Sequence, residues 1–170
     1  MPVFPSKLSS KCMKCLPLFL RGTVVKGFGR GSKQLGIPTA NFPAELVEHL
    51  PRELQSGVYF GWAAVDDGPV HRMVMSVGWN PYYKNEKRSV ETHIMHQFEE
   101  DFYGCVLRVA ILGYLRPELN FASVEELVRA IKEDIAKADT ALGGSQYEHY
   151  KSDPFFSEPL DGNSIVVRSA

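Results

Sequence analysis

The sequence predicts a mainly β chain: a compact antiparallel barrel with one α-helix packed on it near the C-terminus. Three observations predict it. β-Prone runs recur at short spacing, joined by turn chemistry. One long amphipathic helix follows them. No helices alternate with the strands, which argues against a parallel α/β sheet. A length of 170 residues suits a single domain whose core needs no disulfide or metal staple.

Taken in order, residues 1–15 read as a variable leader, rich in lysine, serine and proline and without an acidic residue. Cys12 and Cys15 form a lone C-x-x-C without a second pair, read as incidental. Arg21–Lys26 is β-prone, and a glycine cluster follows at Gly27, Gly29, Gly31 and Gly36. Gly57–Val65 and Val70–Gly78 are apolar runs separated by Asp66-Asp67-Gly68-Pro69, so they form a hairpin. Trp79-Asn80-Pro81-Tyr82-Tyr83 is an aromatic loop and Lys84–Lys87 a polar turn. Ser89–Phe98 and Cys105–Leu115 are two further strands. Ser123 and Glu126 make a capping box for the helix. Val124, Leu127, Val128, Ile131, Ile135, Ala138 and Leu142 then recur on one helical face until Gly143-Gly144 stops it. That face reads as a continuous core stripe, so the helix is expected to be structural. The tail is mostly polar, with Phe155-Phe156 expected to dock back.

The formal net charge of −1 conceals an asymmetry. Residues 1–44 carry seven Lys or Arg and no Asp or Glu, which suits an anionic ligand. A basic arm for nucleic acid and a targeting leader fit the same charge. Three cysteines are too few, and odd in number, for a secreted disulfide scaffold. The apolar runs are too short for a membrane span. The expected setting is cytoplasmic, with an organellar form as the alternative that the basic leader leaves open.

Four segments carry chemistry. The glycines between Gly22 and Gly36, with Lys26, Arg30 and Lys33, offer backbone N–H groups and charge to a polyphosphate, although no Walker A spacing is present. In Pro38-Thr39-Ala40-Asn41, two neutral oxygens two residues apart share a side if the chain is extended, a set that holds Mg²⁺ weakly alone and well with phosphates. Strand alternation puts Glu91 and His93 on one face, and Thr92, Ile94 and His96 on the other. Glu91 is then a candidate general base. A zinc site of Glu91, His93 and His96 is the rival, and on a regular strand the two histidines diverge. Arg116 and Phe121, in the link from the last strand to the helix, could stack on a flat ligand or meet a phosphate.

G-I-P-T-A-N, G-W-N-P-Y-Y, V-E-T-H-I-M-H, D-F-Y-G and G-Y-L-R-P-E, in this order, resemble the riboflavin kinase (flavokinase) family. The resemblance runs from about Leu16 to Phe156. It implies a six-stranded closed antiparallel barrel with a packed C-terminal helix. The implied division is a leader at 1–15, a kinase domain at 16–158 and a tail at 159–170. It also implies transfer of the ATP γ-phosphoryl group to the 5′-hydroxyl of riboflavin, giving FMN and ADP. No room or signature for a fused nucleotidyltransferase is evident, so the chain is similar to the stand-alone eukaryotic type.

By position, the resemblance makes Glu91 the catalytic carboxylate. Gly27, Lys33, Thr39, Ile94 (through its backbone), His96 and Tyr103 become nucleotide contacts. Thr39 and Asn41 become ligands of Mg²⁺, with Zn²⁺ or another divalent ion as alternatives. Arg116, Leu119 and Phe121 become flavin contacts, and Leu119 departs from the basic residue expected in relatives. The implied partners are small-molecule substrates, with no nucleic acid and no membrane, acting on a monomer. Two other readings stay open on the residues alone: a flavin-binding barrel without activity and an OB-like nucleic-acid binder.

Overall fold

The computed structural model describes residues 14–26, 36–79, 87–160 and 164–169. The strands are β1 (Leu18–Thr23), β2 (Ala40–Asn41), β3 (Gly57–Val65), β4 (His71–Trp79), β5 (Arg88–Ile94), β6 (Val106–Arg116) and β7 (Val166–Ser169). The helices are α1 (Ala44–Glu48), α2 (Val124–Leu142) and α3 (Ser145–Glu148), and two 3₁₀ turns follow at His149–Ser152 and Pro154–Ser157. The strands form one antiparallel sheet in the order β2-β5-β4-β3-β6-β1-β7. The β3–β4 hairpin turns at Asp66, whose φ of 49° is the left-handed conformation that aspartate tolerates.

The expected six-stranded closed barrel is corrected. Among the described residues, seven strands curl into a half-barrel whose ladder stays open at both ends. Two causes are visible. β2 is two residues long, held between Pro38 and Pro43, and proline cannot donate to a ladder. β7 takes the outer edge of β1 over Leu18–Arg21. Among the described residues, what remains of closure is one bridge, Val25 N–H to the Asn41 carbonyl at 2.9 Å. Two register shifts between β3 and β6 mark bulges, which add twist and bend the sheet.

The sheet buries both faces. Leu18, Leu20, Tyr59, Ala63, Met73, Met75, Leu107, Val109 and Ile111 fill the inside of the curl, together with Leu46 of α1. Their strand neighbours Phe19, Phe60, Trp62, Val74 and Ala110 face outward, as period-two alternation requires. Ala138 and Leu142 of α2 cover this outer face, and Phe155 packs there 5.1 Å from Phe19, ring centre to ring centre. Arg72 of β4 pairs with Asp139 and pins the helix. At its other end, Ser123 accepts the Glu126 N–H at 3.2 Å, as the capping pattern predicts. Residues 166–169, expected only as tail, supply β7. Nearby, Arg108 and Arg21, buried opposite each other on β6 and β1, donate to tail carbonyls of Phe156 and Glu158 and of Pro159.

Candidate functional site

The strand register lays one row of residues across five strands. Asn41 lies opposite Glu91, Glu91 opposite Ser76, Ser76 opposite Val58, and Val58 opposite Arg116. Directly opposed residues share a face, and this is the outer face that α2 covers. Thr39 and Asn41 flank the inward Ala40, so both belong to the same side.

The C-terminal half of α2 closes on the sheet, while its N-terminal half stands off. The space between is a cleft of about 580 Å³. That volume is in the range of small-ligand sites. Val58, Val74, Met75, Ser76, Glu91 and His93 form its floor. Val124, Leu127, Ile131 and Asp134 form the helical wall. Arg116, Glu118, Leu119 and Phe121 form the lip, and Ile37 and Thr39 the far end.

Local backbone chemistry positions these groups. Gly57 has φ of 149°, and a Cβ there would strike the Arg116 carbonyl and the Tyr114 ring. Glycine therefore lets β3 run tight against the end of β6, which sets where Arg116 emerges. A Cβ at Gly78 would likewise collide with the Glu118 carboxylate. The His93 ring nitrogen Nδ1 lies 2.8 Å from the Pro38 carbonyl. A carbonyl only accepts, so Nδ1 carries the proton. This bond ties the segment before β2 to β5 at the point where proline has no N–H to offer.

Arg116 is the most constrained group. Its Nε and one terminal nitrogen each donate to Asp134 at 2.8 Å, and its other terminal nitrogen donates to the Pro117 carbonyl at 3.1 Å. Its guanidinium lies 5.7 Å from the centre of the Phe121 ring.

The structure thus brings Glu91, Thr39, Asn41, Arg116, Leu119 and Phe121 together. Leu119 is exposed at the lip, so its departure from a basic residue leaves an apolar edge there. Ile94, His96 and Tyr103 are not among the residues that line the cleft. Ile94 is buried in the inner core, and its carbonyl accepts the His96 N–H at 2.8 Å. His96, just past the end of β5, stacks on His71 at 4.0 Å and meets the Phe98 edge at 4.8 Å. Phe98 packs on Phe102 at 4.7 Å, beside the exposed Tyr103. Burial, with His96 and Lys151 nearby, holds the His71 pKa below its ordinary value. Gly27 and Lys33 lie outside the described residues. Among the described residues, no three His, Cys, Asp or Glu side chains are grouped to hold a metal. The rival Glu91–His93–His96 set is split, because His93 lines the cleft and His96 turns to His71.

Sequence reasoning missed Asp134, Glu118, Ser76 and the cleft-facing role of Leu127 and Ile131. Asp134 had a signal. It falls three residues after Ile131 and four before Ala138, an acidic residue on the apolar face of the helix. The helix was expected to be structural throughout, but only its second half is packed as core.

Fold and cleft together define a half-barrel with a largely apolar, ligand-sized cleft beside a carboxylate. The Flavokinase (riboflavin kinase) family model matches residues 15–142. The chain belongs to the riboflavin kinase family. It is 60% identical over 144 residues to riboflavin kinase from Homo sapiens, covering 85% of this chain and 93% of that protein. A bifunctional riboflavin kinase/FMN phosphatase from Arabidopsis thaliana is 50% identical over 147 residues, 84% of this chain and 38% of that one. The crystal structure of riboflavin kinase from Trypanosoma brucei superposes with a TM-score of 0.72 at 28% identity, over 90% of this chain and 93% of that chain.

Proposed function

We propose that the chain transfers the ATP γ-phosphoryl group to the 5′-hydroxyl of riboflavin, producing FMN and ADP. The observation that carries this is the place of Glu91. It is half-buried on the cleft floor, directly opposite Asn41, with an apolar cavity of ligand size on its other side.

Phosphoryl transfer asks for positioning and charge neutralisation more than for covalent chemistry. The apolar surfaces of Val58, Val74, Leu127 and Ile131 take the flavin ring, and Arg116, Leu119 and Phe121 close over it. This directs the ribityl chain toward Glu91. Glu91 orients the primary hydroxyl and accepts its proton as the oxygen forms the new P–O bond and ADP leaves. Thr39 and Asn41 would hold Mg²⁺ through neutral oxygens beside a carboxylate, a donor set suited to a hard cation arriving with phosphates rather than to zinc. When bound, Mg²⁺ supplies charge neutralisation of the phosphates. Gly27, Lys33, Ile94, His96 and Tyr103 are assigned to the nucleotide, His96 from the aromatic cluster at the end of β5.

The proposed division is a leader at 1–15, a kinase domain at 16–158 and a C-terminal segment at 159–170 that adds β7 to the same sheet. The acting unit is a monomer working on small molecules in the cytoplasm, without nucleic acid or membrane. The test is direct. Purified protein, riboflavin, ATP and Mg²⁺ should yield FMN and ADP in equal amounts by chromatography. Riboflavin binding without FMN formation would instead support a non-catalytic flavin barrel.

A further inference from the structure

We infer that Asp134 is a positioning residue that locks Arg116, and through it the connector 117–123, against the cleft. This rests on reading the cleft as the flavin site. Among the described residues Asp134 is the one buried acidic side chain, 4% exposed, and it lines the cleft wall. Both of its oxygens are taken by Arg116 in a two-point grip at 2.8 Å each. Such a grip fixes the plane of a guanidinium as well as its position. Arg116 ends β6, and its bond to the Pro117 carbonyl holds the first residue of the connector. Glu118, Leu119 and Phe121 of that connector all line the cleft.

Stability does not account for the pair. A buried ion pair is commonly no better than an apolar pair of similar volume, and the face of α2 on which Asp134 sits is otherwise apolar. What the pair adds is geometry and charge balance. The carboxylate cancels the guanidinium charge inside the cleft. Arg116 then presents a planar, donor-bearing edge to a neutral ring rather than acting as a trap for anions.

The test is a double-mutant cycle on steady-state kinetics, using Asp134→Asn, Arg116→Met and the double variant. Asp134→Asn should raise the KM for riboflavin by about 10- to 100-fold, the scale of a small misplacement of a binding group. The KM for ATP should stay within about twofold. In the Arg116→Met background the same change should add less than about twofold, because its effect runs through Arg116. A full, additive loss in that background, or an unchanged riboflavin KM in Asp134→Asn, overturns the lock. Should Asp134→Asn fail to fold, Asp134→Glu keeps the charge and shifts it by one methylene. It should raise the riboflavin KM at least about threefold with ATP unaffected, and an unchanged value overturns the lock. Arg116→Met leaving the riboflavin KM unchanged overturns the flavin-site reading, and the lock with it. Arg116→Met raising that KM while Asp134→Asn is silent overturns the lock alone.

Discussion

Replacing Glu91 by Gln tests the chemistry at its centre. The side chains have nearly the same size, and the direct strand neighbours Asn41 and Ser76 are both uncharged. The backbone pairing of β5 with β2 and β4 does not depend on this side chain, so the exchange leaves the register pairs in place. Glutamine still orients a hydroxyl but cannot take its proton. A positioned base is worth about 10²- to 10⁴-fold in rate. At 1.36 kcal/mol per tenfold, that is about 2.7–5.4 kcal/mol of activation free energy. Single-turnover measurements of FMN formation, with riboflavin and ATP affinities measured separately, give the chemical step on its own. The expected result is a collapse of the chemical rate with both affinities within a few-fold of wild type. A near-wild-type rate would refute the assignment of the base. A selective loss of riboflavin affinity would show that Glu91 only anchors the ribityl chain.

The two halves of α2 should respond differently to truncation. Leu142→Ala, at a fully buried position, should cost about 2–5 kcal/mol in denaturant unfolding with activity per folded molecule retained. Leu127→Ala should instead weaken riboflavin binding, measured by flavin fluorescence, because that side chain faces the cleft. His71 predicts an acid-sensitive step. Its folded pKa is held down, chiefly by burial, so below about pH 6.5 the unfolded chain binds the proton more readily. Stability therefore falls as pH drops through this range, and His71→Gln should lose less of it in urea titrations at pH 7.5 and 5.5. Mg²⁺ should bind weakly to the free protein and firmly once ADP or ATP is present, by calorimetry, since Thr39 and Asn41 bring no charge of their own. Tight binding without nucleotide would place the metal elsewhere.

Much of the fold was legible because its signals are local. Alternating apolar runs, turn chemistry at Asp66–Pro69 and the capping pair Ser123–Glu126 each act within a few residues, and each is found where expected. The faces on which Glu91, Thr39 and Asn41 lie were also legible, because alternation along a strand fixes a residue's side before any pairing is known. Ends and edges were less so. The strand β7 rests on pairing with β1 almost the whole chain length away, and a short run such as Val-Val-Arg-Ser carries no local mark of it. The open curl, in place of a closed barrel, depends on how far Pro38 and Pro43 shorten β2, a matter of partner and not of propensity.

The sequence by itself determined five of the strands, the single long helix and the family, and it marked Glu91 as the candidate carboxylate, since these follow from patterns within continuous segments. Only the tertiary structure decided that Asn41, Glu91, Ser76, Val58 and Arg116 form one row, because cross-strand register is a relation between segments far apart in the chain. It also decided that α2 belongs half to the core and half to the cleft. Helical periodicity reports which side of a helix is apolar, but not whether that side meets a sheet or stands away from it. The Arg116–Asp134 grip has the same origin: two residues of opposite charge, eighteen apart, are drawn together only once the connector turns the helix back across the sheet.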